Sequence, residues 1–125
     1  MTKLSAITSQ FSEALQRLNE VLVKPKDEFM RDSAIQRFEF TLDLSWKAVK
    51  TYLEEKSGIV CNAPKQCFRE AYQQGLIKYD DKWLLLVDMR NETVHTYKEE
   101  VADKIYGALP DAVKLFEALL GALQK

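Results

Sequence analysis

Apolar residues recur at steps of three and four along most of this chain, and no stretch alternates apolar with polar for long enough to form a convincing strand. That periodicity restricts the fold to helices packed on helices. Leu4, Ile7, Phe11, Ala14, Leu15, Leu18, Val21 and Leu22 share one side of a first helix, which Lys24-Pro25-Lys26-Asp27 ends. Asp27 is placed to cap a second helix from about Glu28 to Lys56, with Gly58 as its stop. Pro64 suits the first position of a short helix reaching about Gln74, and Gly75-Leu76 reads as a Schellman-type ending. Asp80 is placed to cap a fourth helix whose Trp83 to Val87 and Met89 are apolar nearly all round, so burial on most sides is expected. The last helix runs from about Tyr97 to Leu123; its apolar phase continues across Pro110, which predicts a kink eased by Gly107. The expected architecture is all-α, an up-and-down bundle of four long helices plus one short helix, with a kinked C-terminal helix.

The second helix is apolar on two sides. Ile35, Phe38, Leu42, Trp46, Val49 and Leu53 form one stripe, and Phe40 with Leu44 lies roughly opposite. A second ridge implies either a central place among several helices or a face covered by another chain. Arg37, Glu39, Asp43 and Lys47 sit between the stripes. They read as solvated charges, Asp43 and Lys47 having the i, i+4 order of a weak helical ion pair, with Glu39 and Asp43 also placed to line a site.

The 125 residues suffice for one domain, 1–125, able to fold without a metal or disulfide staple. A net charge of −1 argues against a globally basic nucleic-acid binder, so any RNA contact must be local. The longest strictly apolar run, Trp83 to Val87, is far short of a membrane span, and Met1 to Gln10 lacks a signal-peptide core. The reading is a soluble, cytoplasmic protein. Cys61 and Cys67 form neither a CxxC pair nor a zinc half-site and read as buried or half-buried free thiols. There is no P-loop, GxGxxG or HExxH, and the acids do not cluster with histidine, so no cofactor or metal is expected.

The chemistry concentrates in Arg90-Asn91-Glu92-Thr93-Val94-His95-Thr96-Tyr97, which holds the only histidine. Histidine both takes and gives a proton near neutrality, and arginine is a permanent cation whose planar fork suits phosphate oxygens. On a continuous helix five residues turn a side chain by about 140° net, so Arg90 and His95 would point apart. Thr96-Tyr97-Lys98-Glu99 has the form of a capping box, which predicts a break. One helix then ends near Arg90 or Asn91, with Asn91 tolerating a left-handed turn, and the next begins after His95. Arg90 and His95 would flank a short corner. The plainer reading makes Arg90 a surface ion-pair partner and His95 a corner residue.

Arg31 to Thr41 (R-D-S-A-I-Q-R-F-E-F-T), followed by Leu44-Ser45-Trp46-Lys47 and Lys50-Thr51-Tyr52-Leu53, resembles the second helix of the nucleotidyltransferase substrate-binding proteins. Arg90-Asn91 with His95-Thr96-Tyr97 resembles the R-x4-H-x-Y motif of HepT-type toxins in the HEPN superfamily. The resemblance covers nearly the whole chain. It implies an all-helical bundle that forms a homodimer, with further pairing of dimers left open, and whose partner and antitoxin is a minimal nucleotidyltransferase. It implies a metal-independent ribonuclease in which Arg90 and His95 are catalytic and Asn91 shapes the site. Tyr97 would be the residue whose adenylylation silences the toxin.

Cleavage of RNA through its own 2′-OH needs a base, an acid and positive charge at the phosphorane, and no metal. One histidine cannot be base and acid at the same moment, so a two-fold dimer would bring a second copy to the cleft, in keeping with the second apolar face of the Glu28–Lys56 helix. AMP on Tyr97 would set a phosphate over that cleft, where it could pair with Arg90 and exclude RNA. A second reading is a non-catalytic subunit presenting substrate to the nucleotidyltransferase, and a third is a helical scaffold whose Arg90 and His95 only stabilise the corner.

Overall fold

A computed structural model of the chain describes residues 2–125, which form five α-helices and a 3₁₀ turn. These are α1 Lys3–Leu22, α2 Glu28–Ser57, α3 Pro64–Gln73, α4 Lys82–Glu92, the 3₁₀ turn Thr93–His95, and α5 Glu99–Leu123. No strand occurs among the described residues. The all-α bundle is as expected, although α4 has only 11 residues and is close in length to α3, with 10.

The helix ends follow from local chemistry. Thr2 and Ser5 close a reciprocal capping box at α1. The Asp27 carboxylate accepts the Met30 N–H at 2.7 Å to start α2. At its other end Gly58 is left-handed, and the N–H groups of Gly58 and Ile59 both reach back to the Leu53 carbonyl. Pro64 opens α3, where its missing donor costs nothing. Gly75 is also left-handed, and Leu76 N–H to Ala71 O with Gly75 N–H to Tyr72 O completes the Schellman motif. The Asp80 carboxylate accepts the Lys82 N–H at the start of α4. α5 runs unbroken through Pro110.

α2 is the central element and touches each of the other four helices. The core centres on Phe116 of α5, whose ring lies 6.0 Å from Phe11 of α1, 6.2 Å from Phe38 of α2 and 5.9 Å from Trp83 of α4. Phe68 of α3 stacks on Trp83 at 4.5 Å, so one aromatic cluster draws on all five helices. Each such pair adds about 0.5–1.5 kcal/mol beyond the apolar area it buries. Through Trp83 the cluster fixes α4, which carries Arg90 at its far end.

Two expectations about packing need correction. α4 is not buried on most sides: Trp83, Leu86 and Val87 face the core, but Leu85 is 61% exposed, because the helix packs at the edge of the bundle. Cys61 and Cys67 are buried as expected but are not free thiols; they form a disulfide. The chain turns back between Gly58 and α3, which brings their Cα atoms to 5.3 Å, within bridging range. The second apolar ridge of α2 is only partly covered within the chain, with Leu44 half-buried and Phe40 53% exposed.

Candidate functional site

The site lies where the end of α4 meets the middle of α2. The Arg90 guanidinium lies across the Asp43 carboxylate in a bidentate pair, Nε to Oδ1 and Nη2 to Oδ2, each at 3.1 Å. Nη1 reaches Glu39 at 3.4 Å and donates to the Thr93 hydroxyl at 3.2 Å. Glu39 and Asp43 are one helical turn apart and therefore share a face of α2. Asp43 thus pairs with Arg90 of another helix, and the local partner its spacing suggested, Lys47, is not used. All three charged groups are roughly a third exposed. The hydrogen bonds Arg90 donates to Asp43, reinforced by the negative charge of Asp43 and Glu39, raise the Arg90 pKa despite partial burial.

The corner after Arg90 differs from the expected one. Arg90 and Asn91 lie inside α4, which continues to Glu92 and passes directly into the 3₁₀ turn. Asn91 is not left-handed; among the described residues only Gly58 and Gly75 have positive φ. Thr93 is buried and locks the junction, donating its hydroxyl to the Arg90 carbonyl at 2.7 Å. Thr96 does not cap α5. Its hydroxyl donates back to the Thr93 carbonyl at 2.9 Å, and Lys98 N–H closes on the His95 carbonyl at 3.0 Å. α5 begins at Glu99, whose carboxylate is held elsewhere by Arg31 and cannot reach back to Thr96.

The corner presents His95 and Tyr97 to solvent, with ring centroids 6.1 Å apart in an edge-on arrangement. Tyr97 is 75% exposed, and its hydroxyl has no hydrogen bond among the described residues. Asn91 is exposed on the α4 side of the turn. Arg90, Glu39 and Asp43 are therefore brought into direct contact, while His95 and Tyr97 make no hydrogen bond to them. A shallow depression on α2 beside the corner is lined by Asp32, Gln36 and Glu39 from one side and Thr96 from the other. No group of three or more His, Cys, Asp or Glu side chains among the described residues is arranged to hold a metal ion. No helix among the described residues is long and apolar enough to cross a membrane.

One supporting residue escaped the sequence reading. Arg31 is buried near the start of α2 and gathers three carboxylates: Glu99 at 2.6 and 3.3 Å, Asp103 at 3.2 Å and Asp32 at 3.1 Å. Glu99 and Asp103 belong to the first turns of α5, so this clamp fixes the helix start that follows Tyr97. The pairing raises the Arg31 pKa and lowers those of Glu99 and Asp103, Lys26 being the first contributor at Asp103. The signal was present: Arg31 continues the buried phase of Ile35, Phe38 and Leu42, and a cation in such a stripe requires carboxylates from a neighbouring element.

Residues 6–125 match the family model described as "Nucleotidyltransferase substrate binding protein like". A Haemophilus influenzae protein described as "Probable ribonuclease HepT" is 40% identical over 82 residues, covering 62% of this chain and 56% of that protein, little more than half its length. A crystal structure of a Thermus thermophilus protein superposes with a TM-score of 0.86 at 40% identity, over 92% of this chain and 99% of that one. A second structure, from Haemophilus influenzae and described as revealing the fold of a substrate binding domain of a nucleotidyltransferase, gives a TM-score of 0.73 at 30% identity, over 98% and 97% of the two chains.

Proposed function

We propose, from the premise that the chain belongs to the nucleotidyltransferase substrate binding protein like family, that it is the toxin of a pair with a minimal nucleotidyltransferase and cuts RNA at the Arg90–His95 corner. The observation that supports this most directly is the placement of an anchored, solvent-reachable arginine one short turn before an exposed histidine. The relative described as a ribonuclease adds to it. His95 takes the 2′-OH proton, the 2′ oxygen attacks phosphorus, and the 5′ oxygen leaves with a proton. Arg90 stabilises the charge that builds on the phosphorane. A second copy, seated against the exposed Val94 and Tyr97 beside His95, supplies the other histidine of a two-fold site. Asn91 borders that cleft.

Tyr97 is the silencing position. Its phenolic oxygen attacks the α-phosphorus of ATP, pyrophosphate leaves, and the phenolic proton passes to a base of the transferase. Its free, exposed hydroxyl supports this assignment. The added phosphate then competes with RNA for Arg90.

A second reading has its own support: two carboxylates already occupy Arg90, which suits a subunit that presents substrate to the nucleotidyltransferase without cutting RNA itself. The deciding experiment is cleavage of mixed single-stranded RNAs in EDTA by wild type and His95→Ala. It is run beside intact mass after incubation with ATP and the transferase, for wild type and Tyr97→Phe. RNA cleavage lost in His95→Ala, with an AMP adduct lost in Tyr97→Phe, is the expected result. A stable complex with an active transferase, but no cleavage and no adduct, selects the presenting subunit.

A further inference from the structure

A groove runs between α1 and α2 on the side of the molecule that adjoins the corner. Its floor is apolar, with Ala14 from α1 and Leu44 from α2, and Phe40 stands in it 53% exposed. Arg17 and Arg37 flank that ring, and the Arg37 Nη1 donates to the Arg17 carbonyl at 2.6 Å, so the Arg37 side chain is fixed across the groove. Neither arginine is in an ion pair among the described residues, although the Glu13 carboxylate also lines the groove. The groove is therefore a local excess of positive charge on a chain whose net charge is −1. It borders the depression beside Thr96, since Ser33 and Gln36 line both, and that depression adds the Asp32 and Glu39 carboxylates on the way to the corner.

We infer that this groove binds the single-stranded flank of the RNA cut at the corner, with an unpaired base stacked on Phe40 and its phosphates set against Arg17 and Arg37. The inference rests on the ribonuclease reading for its substrate and adds where the strand runs. An exposed aromatic face beside unpaired cations is the combination that holds single strands without reading sequence. A base still paired in a duplex has both faces covered by its neighbours, so the groove selects unpaired RNA.

A second copy of the chain is the rival occupant, and charge disfavours it. A two-fold contact sets the same patch on both sides, so its seam would gather the Arg17 and Arg37 of both copies against only two Glu13 carboxylates.

The test uses a fluorescein-labelled 12-nucleotide RNA carrying 2′-O-methyl groups, which cannot be cut through its own 2′-OH, and reads binding by anisotropy at low and moderate salt. Stacking is worth roughly 1–3 kcal/mol per base, so Phe40→Ala weakens binding about tenfold. Arg17→Ala weakens it and flattens its salt dependence, and the same RNA annealed to its complement binds more weakly than the single strand. Phe40 and Arg17 are exposed, so neither truncation opens the core. Unchanged single-strand affinity in both variants overturns the inference, as does loss of a dimer in Phe40→Ala by sedimentation, which assigns the groove to a second copy. Cleavage of unmodified RNA is measured separately. Groove-dependent binding without any cleavage refutes the ribonuclease reading alone, and cleavage with groove-independent binding refutes this inference alone.

Discussion

Replacing Asp43 with asparagine separates two opposing effects at the site. Asp43→Asn removes one of the two carboxylates against Arg90 and leaves an amide oxygen that still accepts one of the two hydrogen bonds. The pair is about a third exposed on both sides, so solvent screening keeps its contribution near the upper end of the range for surface ion pairs, about 1 kcal/mol, favoured by the bidentate geometry. For a chain of this length that lowers the melting temperature by roughly 3–5 °C. The effect on anion binding has the opposite sign. With Asp43 and Glu39 both charged, the single Arg90 is outnumbered, and a phosphate at the guanidinium is repelled by each carboxylate. One such repulsion at about 6 Å is worth about 0.7 kcal/mol in water, or about threefold in affinity. The variant, less stable than wild type, should therefore bind the phosphate of a 2′-deoxy dinucleotide about threefold more tightly at 20 mM salt, an advantage that shrinks at 200 mM. Chemical-shift titration of the Arg90 side chain measures the binding, with urea unfolding for the stability. Weaker binding in Asp43→Asn would refute this reasoning and show that Asp43 chiefly aims Arg90.

Phe116→Ala removes the ring shared by Phe11, Phe38 and Trp83 and should cost about 3–5 kcal/mol by urea denaturation, whereas Phe116→Leu should cost much less. Reduction of the Cys61–Cys67 bond should lower stability by about 2 kcal/mol, the loop-closure value for so short a ring; alkylation in urea without reductant should label neither cysteine. The Glu99 and Asp103 carboxyls have lowered pKa values in the folded chain. Their contribution is therefore complete above the ordinary carboxylate range, near 4, and is lost as pH falls through the lower folded values. A melting-temperature series from pH 7 to pH 2 should fall less steeply in a Glu99→Gln/Asp103→Asn double variant, from a lower starting point. The hydrogen bond from Tyr79 to Asp81 raises the tyrosine pKa, so this contact is present below the ordinary value and lost as pH rises through the higher one. Absorbance titration at 295 nm should show one late-ionising tyrosine that returns to the normal range in Asp81→Asn.

Helix boundaries set by local chemistry were legible in advance. Asp27, Gly58, Pro64 and Gly75 each act through the backbone of their own turn, and each marks the end that its residue type predicts. What the sequence concealed depends on contacts between distant segments. The T-x-x-E box at Thr96 is a sound local signal, but it loses because Glu99 is drawn to Arg31, sixty-eight positions away in sequence. Asp43 looked like the partner of Lys47 for the same reason: spacing along one helix is visible, and the arrival of Arg90 from another helix is not. Periodicity counts apolar residues without saying which side a neighbour covers, and so Leu85 was expected inside. Arg90 and His95 stood out as candidates by residue type and Tyr97 by the family resemblance, whereas the carboxylate clasp that fixes Arg90 emerged only from packing.

α2 is a rigid rod about 45 Å long at 1.5 Å per residue. On it are mounted Arg31 near one end, then Glu39, Phe40 and Asp43 toward the middle. Their relative directions are set by the count of residues between them, with no joint to absorb an error. One residue inserted between Arg31 and Glu39 would rotate everything beyond it by about 100°, so that the clamp on α5 and the clasp on Arg90 could not both close. Substitutions along this helix can be tried one at a time, but its length cannot drift. Insertions and deletions in related chains should therefore collect in the Val23–Asp27 and Gly58–Ala63 connections and be absent from the Arg31–Asp43 segment.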